Sequence, residues 1–278
     1  MIAPSRRLEA LRVLTCAAAM GALTPMTVGE ITRADLLLWI EPDQNPQFGV
    51  FDWSPFQHPI TVYGPPTFTA DQLEFDGTSD RLVITDALDP SAHAAGFTIL
   101  MALRCPAELA PGTVLFSFDA DNGSGPTECI VGAGGSIVAR LACTAAVGFT
   151  QTPTGSGSTR LPGAAEFPGA ADEVYLAAVR WSPDNGGTLS VSLARSGDNA
   201  AQVAASTAAA FALGTPEPDT SDITVAADPP VFSAWNLLRF ACADRVLTEA
   251  ELAALVADEA PTSFITLPLS EAEGVVDH

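Results

Sequence analysis

Two alternating runs, Glu173 to Trp181 and Thr188 to Arg195, stand on either side of Pro183-Asp184-Asn185-Gly186-Gly187, and no other feature constrains this chain so tightly. Alternation with a period of two buries one face of a strand, and the Asn-Gly-Gly step supplies the positive φ angles that a tight return needs. The segment is therefore an antiparallel hairpin. Similar punctuation recurs about every ten residues along the 278-residue chain, where runs of Ala, Val and Leu are interrupted by Gly, Pro, Ser or Asp. Many short strands in one large all-β unit account for this spacing.

Further strands are expected at Asp35 to Ile40, Phe97 to Arg104, Val114 to Phe118, Glu128 to Val131, Ser136 to Cys143, Ile223 to Ala226 and Trp235 to Ala241. Leu73 to Ile84 reads as two short strands around an Asp76-Gly77 hairpin turn. The Pro-rich stretch from Pro42 to Pro66 holds only irregular or edge structure, and Thr150 to Gly169 reads as a mobile surface loop. Near the end the period changes. Thr248-Glu249-Ala250-Glu251 is a capping box, and Leu247, Leu252, Leu255 and Val256 follow helical spacing, so Glu249 to Asp258 forms a short amphipathic helix.

Residues 1–33 form an N-terminal arm. Arg6 and Arg7 precede an Ala-rich apolar run from Val13 to Leu23, the order of a secretory leader, but Glu9 and Arg12 interrupt it. The arm reads instead as a helix whose face of Leu8, Leu11, Leu14 and Cys16 to Ala18 docks on the sandwich or on a neighbouring subunit. No stretch approaches the roughly twenty apolar residues of a membrane span.

Acidic residues outnumber basic ones 33 to 12, the net charge is -21, and every basic residue is arginine. Such a surface repels phosphate backbones, which excludes nucleic acid as a partner. Cys16, Cys105, Cys129, Cys143 and Cys242 lack the paired short spacing of a structural zinc site. Cys129 and Cys143 flank the Gly132 to Ser136 turn, so they are either bridged across a hairpin or two small buried thiols.

The order of these elements resembles the laminin G-like, concanavalin A-like jelly rolls of lectins, adhesins and phage structural proteins. The resemblance rests on four pieces. Leu36 to Pro42 looks like the opening strand; Leu73-Glu74-Phe75-Asp76-Gly77 with Asp80 to Val83, and then Phe97-Thr98-Ile99, look like the strands that follow. Tyr175 to Trp181 with its turn resembles the central hairpin, and Trp235 to Arg245 with Leu247 to Leu252 resembles the closing strand and helix. The match implies an all-β antiparallel sandwich over residues 34–258, with a tail at 259–278. It specifies fold rather than chemistry, because such sandwiches host lectins, hydrolases, lyases and inert spacers.

No catalytic constellation accompanies it. A glycan-cleaving enzyme of this fold needs carboxylates at alternate positions on one strand, whereas Glu74 and Asp76 lead into a turn and the adjacent Asp172 and Glu173 face opposite ways. His58 and His93 lie in loops, and neither a G-x-S-x-G elbow nor a phosphate-binding loop occurs. A cation such as calcium finds alternate oxygen ligands at Asp119, Asp121 and Asn122, with Glu128 downstream, although hairpin loops favour the same residues for their backbone angles. Sugar rings find flat apolar partners in Phe51, Trp53, Phe56 and Tyr63, unless those rings only pack the long loop. Trp39, Trp181 and Trp235 are core.

The expected function is non-enzymatic recognition or display, as a phage virion structural protein at the virion surface. Its expected partners are other virion proteins, cell-surface glycan, or both, within a homo-oligomer or larger assembly. The alternatives are a secreted, extracellular polysaccharide-binding domain, cleaved near Met26 with Cys129 and Cys143 oxidised, and a glycan-cleaving enzyme of the same fold.

Overall fold

Strands whose two faces are both apolar must be covered on both sides, and in the computed structural model of the protein they occupy the centre of the larger of two packed sheets. The structure describes residues 35–42, 50–64, 66–69, 72–93, 95–105, 109–118, 127–153, 159–162, 173–196, 203–207, 212–217, 222–228 and 231–257. The N-terminal arm, the tail at 259–278 and Asp119, Asp121 and Asn122 lie outside these residues.

The first sheet runs, in spatial order, β14 (Ala204–Thr207), β13 (Thr188–Arg195), β12 (Val174–Ser182), β7 (Phe97–Arg104), β18 (Asn236–Ala243), β1 (Leu36–Pro42) and β2 (Val50–Asp52). A short pair, β4 (Thr67–Phe68) and β5 (Leu73–Glu74), joins it through β18. The second sheet runs β11 (Gly148–Gln151), β10 (Ile137–Leu141), β9 (Thr127–Val131), β8 (Val114–Phe118), β15 (Ile223–Val225), β6 (Arg81–Ile84) and β3 (Ile60–Tyr63). A two-stranded ribbon, β16 (Ala227–Asp228) with β17 (Val231–Phe232), stands beside them. All pairings given by these orders are antiparallel, which makes the protein an antiparallel β-sandwich.

The hairpin of β12 and β13 is continuous from Tyr175 opposite Arg195 to Ser182 opposite Thr188. Asn185 at φ 55° and Gly186 at φ 82° make its return. In β7, Phe97, Ile99 and Met101 face the second sheet while Leu100 and Ala102 face away, and both sets are buried. The outward set joins Leu176, Ala178, Ala241, Leu247, Leu252 and Leu255 in a separate apolar layer. The C-terminal helix, Glu249–Ala257, caps that layer above β12 and β13. Arg180, itself buried, holds the helix entry by donating to Leu247 O at 2.8 Å and by pairing with Glu249. Trp39, Trp181 and Trp235 are all buried.

The expected capping box is present: Glu251 N–H donates to Thr248 Oγ1 at 3.2 Å and Thr248 N–H to Glu251 Oε2 at 2.7 Å. Burial disfavours the Glu251 carboxylate, but the bonds from Thr248 and Arg245 outweigh it and hold the group below the usual glutamate range. A depressed carboxyl contributes stability above its unfolded-state value and loses it as pH falls through the folded-state value. Glu251→Gln is therefore expected to cost about 1 kcal/mol at pH 7, and the difference from the parent should shrink as pH falls below the ordinary glutamate range toward the lowered folded-state value. Urea unfolding at pH 7 and pH 3 reads both numbers.

Two sequence expectations need correction. Asp76-Gly77 is not a hairpin turn, because β5 pairs with β18 in one sheet and β6 with β15 in the other. Here the chain turns a corner between sheets: Asp76 accepts from the Thr78 hydroxyl, from Thr78 N–H at 2.7 Å and from Ser79 N–H at 3.2 Å, bonds that hold its carboxyl at about 2. Nor is the whole of Thr150 to Gly169 a surface loop. Thr150 and Gln151 belong to β11, and Leu161 is buried with its N–H donated to Gly135 O at 2.8 Å.

For the cysteines the structure decides between the two readings left open by the sequence. Cys129 sits opposite Ala139 in the ladder, and Cys143 lies four residues further on, about 13 Å along a strand. That exceeds the reach of a disulfide, and all four described cysteines are free, buried thiols. Burial pushes the Cys105 and Cys143 thiols up to about 12 and raises Cys129 and Cys242 as well. Iodoacetamide at pH 8 should leave these four unlabelled in the folded protein and label all of them in guanidinium, as peptide mapping would show. Rapid labelling of Cys129 in the native state would contradict the packing described.

Candidate functional site

Residues 50 to 64 cross the open side of the sandwich, from the edge of one sheet at β2 to the edge of the other at β3. Edge strands have spare backbone groups and one free flank, so side chains in this crossing have room to face water. The crossing owes its shape to Asp52. This buried carboxylate accepts from Trp39 N–H at 2.9 Å, Ser54 N–H at 2.8 Å, Ser54 Oγ at 2.8 Å and His58 N–H at 2.8 Å. Asp-x-Ser spacing favours such a side-chain-closed turn, and Pro55 and Pro59 restrict the backbone around it. Trp53 N–H donates to Trp39 O at 2.7 Å and His58 Nε2 lies 3.2 Å from Leu37 O, so the loop is tied to β1 at both ends.

This latch presents aromatic rings. Phe51 is 46 % exposed, Trp53 42 %, Phe56 60 % and Tyr63 42 %. Among the described residues the only other exposed large hydrophobics are Val147 and Phe149, at the opposite edge around β11. Phe51 and Trp53 meet edge to face with centroids 6.3 Å apart, and Phe56 stacks on His58 at 5.8 Å. Tyr63 stands apart from the other three. It lies opposite Arg81 in the β3–β6 ladder, and the Arg81 guanidinium sits over its ring at 4.1 Å. Phe232 flanks the same guanidinium at 5.7 Å.

The four rings named from the sequence thus divide into a latched loop carrying three and a Tyr63–Arg81–Phe232 stack. Sequence reading did not find Arg81, Phe232 or the latching role of Asp52. The Asp-x-Ser-Pro spacing was the available signal for Asp52; nothing in the sequence connects Arg81 with Phe232.

Of the four candidate cation ligands only Glu128 is described. Its buried carboxylate pairs with Arg140 at 2.6 Å, across the β9–β10 ladder, so its charge is already neutralised by the protein. Among the described residues no group of three or more His, Cys, Asp or Glu side chains is arranged to hold a metal, and no helix is long and apolar enough to cross a membrane. Glu74 accepts from Gln72 Nε2 at 2.9 Å, and the buried Asp80 accepts from Asp76 N–H at 3.1 Å. Both carboxylates hold local structure.

No family model matches the chain, and no curated protein matches it in sequence. Solved structures do match in fold. The binding domain of botulinum neurotoxin DC in complex with SialylT has a TM-score of 0.58 at 11 % identity, over 82 % of this chain and 52 % of that one. The same domain in complex with rat synaptotagmin II gives 0.58 at 12 %, over 83 % and 53 %. The receptor binding domain of botulinum neurotoxin C/D mosaic serotype gives 0.56 at 10 %, over 81 % and 51 %. The chain spans about half the length of these neighbours, and at such low identity the likeness is one of fold.

Proposed function

We propose that the protein is a non-catalytic recognition module that binds glycan through the aromatic crossing between β2 and β3. One observation carries this reading: among the described residues, four of the six exposed large hydrophobics lie within residues 51–63, and the three nearest β2 sit on a loop tied down by a buried carboxylate. A loop ordered before binding loses little entropy on binding, and flat exposed rings match the apolar faces of sugar rings. The neighbours in fold are receptor-binding domains, which supports recognition over catalysis as the use of this sandwich.

The setting we assign is the surface of a virion, with residues 1–33 and 259–278 attaching the sandwich to other particle proteins and the aromatic crossing facing cell-surface glycan. Two experiments test the two parts. Titration of a panel of soluble oligosaccharides against the protein should reveal a binder, and Trp53→Ala or Phe56→Ala should weaken it about tenfold without changing the folded-state spectrum. Release of reducing ends from any member of the panel would overturn the non-catalytic reading. Co-sedimentation of the native protein with particles supports display; recovery as a free domain cleaved near Met26 would favour secretion.

A further inference from the structure

All eight arginines among the described residues sit in a chain with nearly three acidic groups for each basic one, and seven of them are engaged. Arg140, Arg180, Arg195 and Arg245 form ion pairs with glutamates, Arg104 donates to Gln72, and Arg160 and Arg239 have partners as well. Among the described residues the Arg81 side chain makes only ring contacts. Its guanidinium is held over Tyr63 and beside Phe232, with its N–H donors directed to no acceptor among the described residues.

Stacking between rings fixes the plane of a guanidinium and leaves its donor edge available, the arrangement that reads a planar, two-oxygen acceptor. The backbone around it is also fixed. After Tyr63 the chain passes Asp80 so closely that a Cβ on Gly64, whose φ is +75°, would lie 2.1 Å from Asp80 Oδ1. Asp80 itself is buried and turned to Asp76 N–H, so it does not neutralise its neighbour.

We propose that Arg81, Tyr63 and Phe232 form a subsite for the carboxylate of an acidic sugar, at the β3 end of the aromatic crossing. This rests on the glycan reading above and names the ligand class. The planar fork meets the two carboxylate oxygens, while the exposed half of the Tyr63 ring takes the C–H face of the same sugar. A phosphate or a polysulfated chain would meet a single arginine against a net charge of -21, whereas a uronic-type sugar brings one negative charge per ring.

The test compares trigalacturonate, its methyl ester and inorganic phosphate by isothermal titration calorimetry against the full chain, Arg81→Gln, Arg81→Lys and Trp53→Ala. The acid should bind the parent at least about tenfold more tightly than the ester. Arg81→Gln should erase that preference without changing the affinity for the ester, and Arg81→Lys should recover little of it, because an ammonium neither forks nor stacks in the same way. Trp53→Ala should weaken both sugars while leaving their ratio unchanged. Equal binding of acid and ester, or an unchanged ratio in Arg81→Gln, overturns the subsite and leaves the glycan reading standing. Binding of neither sugar overturns both. Displacement of the acid by equimolar phosphate in an Arg81-dependent manner identifies a phosphate site and overturns the sugar assignment. Thermal unfolding of each variant confirms that folding is unchanged.

Discussion

Asp52→Ala is expected to lower the stability of the sandwich by about 3 kcal/mol and its Tm by roughly 6–12 °C. Four donors converge on this carboxylate, and three of them, Trp39 N–H, Ser54 N–H and the Ser54 hydroxyl, make buried bonds, of which only the hydroxyl can rotate to another acceptor. Removing the acceptor leaves such donors unpaired, at about 1–3 kcal/mol for each that water does not reach. Relief from burying a charge offsets part of the loss, which places the expected value toward the middle of the range. Asp52→Asn, of almost the same size, replaces one acceptor with an NH₂ group facing N–H donors, so it should lose most of the same stability. Denaturant unfolding of the two variants decides whether acceptance or volume matters. If both unfold like the parent, Asp52 does not latch the loop. Loss of the latch should also disorder the loop with Trp53 and Phe56, so glycan affinity should fall even at temperatures where the sandwich remains folded.

Trp235→Ala should cost still more, about 4 kcal/mol, within the usual range for truncating a buried aromatic ring. Trp235 is fully buried beside the start of β18, packs on Phe75 with centroids 5.2 Å apart, and donates its indole N–H to Val114 O at 3.3 Å. Its ring therefore links the first sheet to β8 of the second. Truncation leaves a cavity between the sheets and an unpaired carbonyl at Val114. Trp235→Phe restores most of the ring volume but not the donor, so it should cost about half as much. Equal losses in the two variants would assign the whole effect to the hydrogen bond, and a negligible loss in Trp235→Ala would contradict the packing described.

The strands were legible wherever a local rule was sufficient. The β12–β13 hairpin, the β8 to β10 meander and the Thr248–Glu251 capping box are each encoded within a single short stretch of chain, by alternation, turn angles or a four-residue spacing. The same holds for the edge character of Pro42 to Pro66, which became β2 and β3, since proline removes a ladder donor wherever it stands. Asp76-Gly77 shows where local rules fail. Its residues fit a hairpin turn, yet β5 and β6 belong to different sheets, because the burial of Leu73 against β18 and of Leu82 and Ile84 against β15 is decided by partners more than 130 residues away.

The site divides in the same way. That Phe51, Trp53, Phe56 and Tyr63 stand in a proline-rich crossing is a property of the sequence alone, because prolines and apolar rings in an edge segment leave few buried places for those rings. That Arg81 lies over Tyr63 depends on the β3–β6 register, and that Phe232 completes the stack depends on where the β16–β17 ribbon stands. Local residue preferences set turns, caps and strand periods through interactions a few bonds long. The pairing of distant strands is set by the burial of whole faces, and only that pairing brought Arg81 against two aromatic rings.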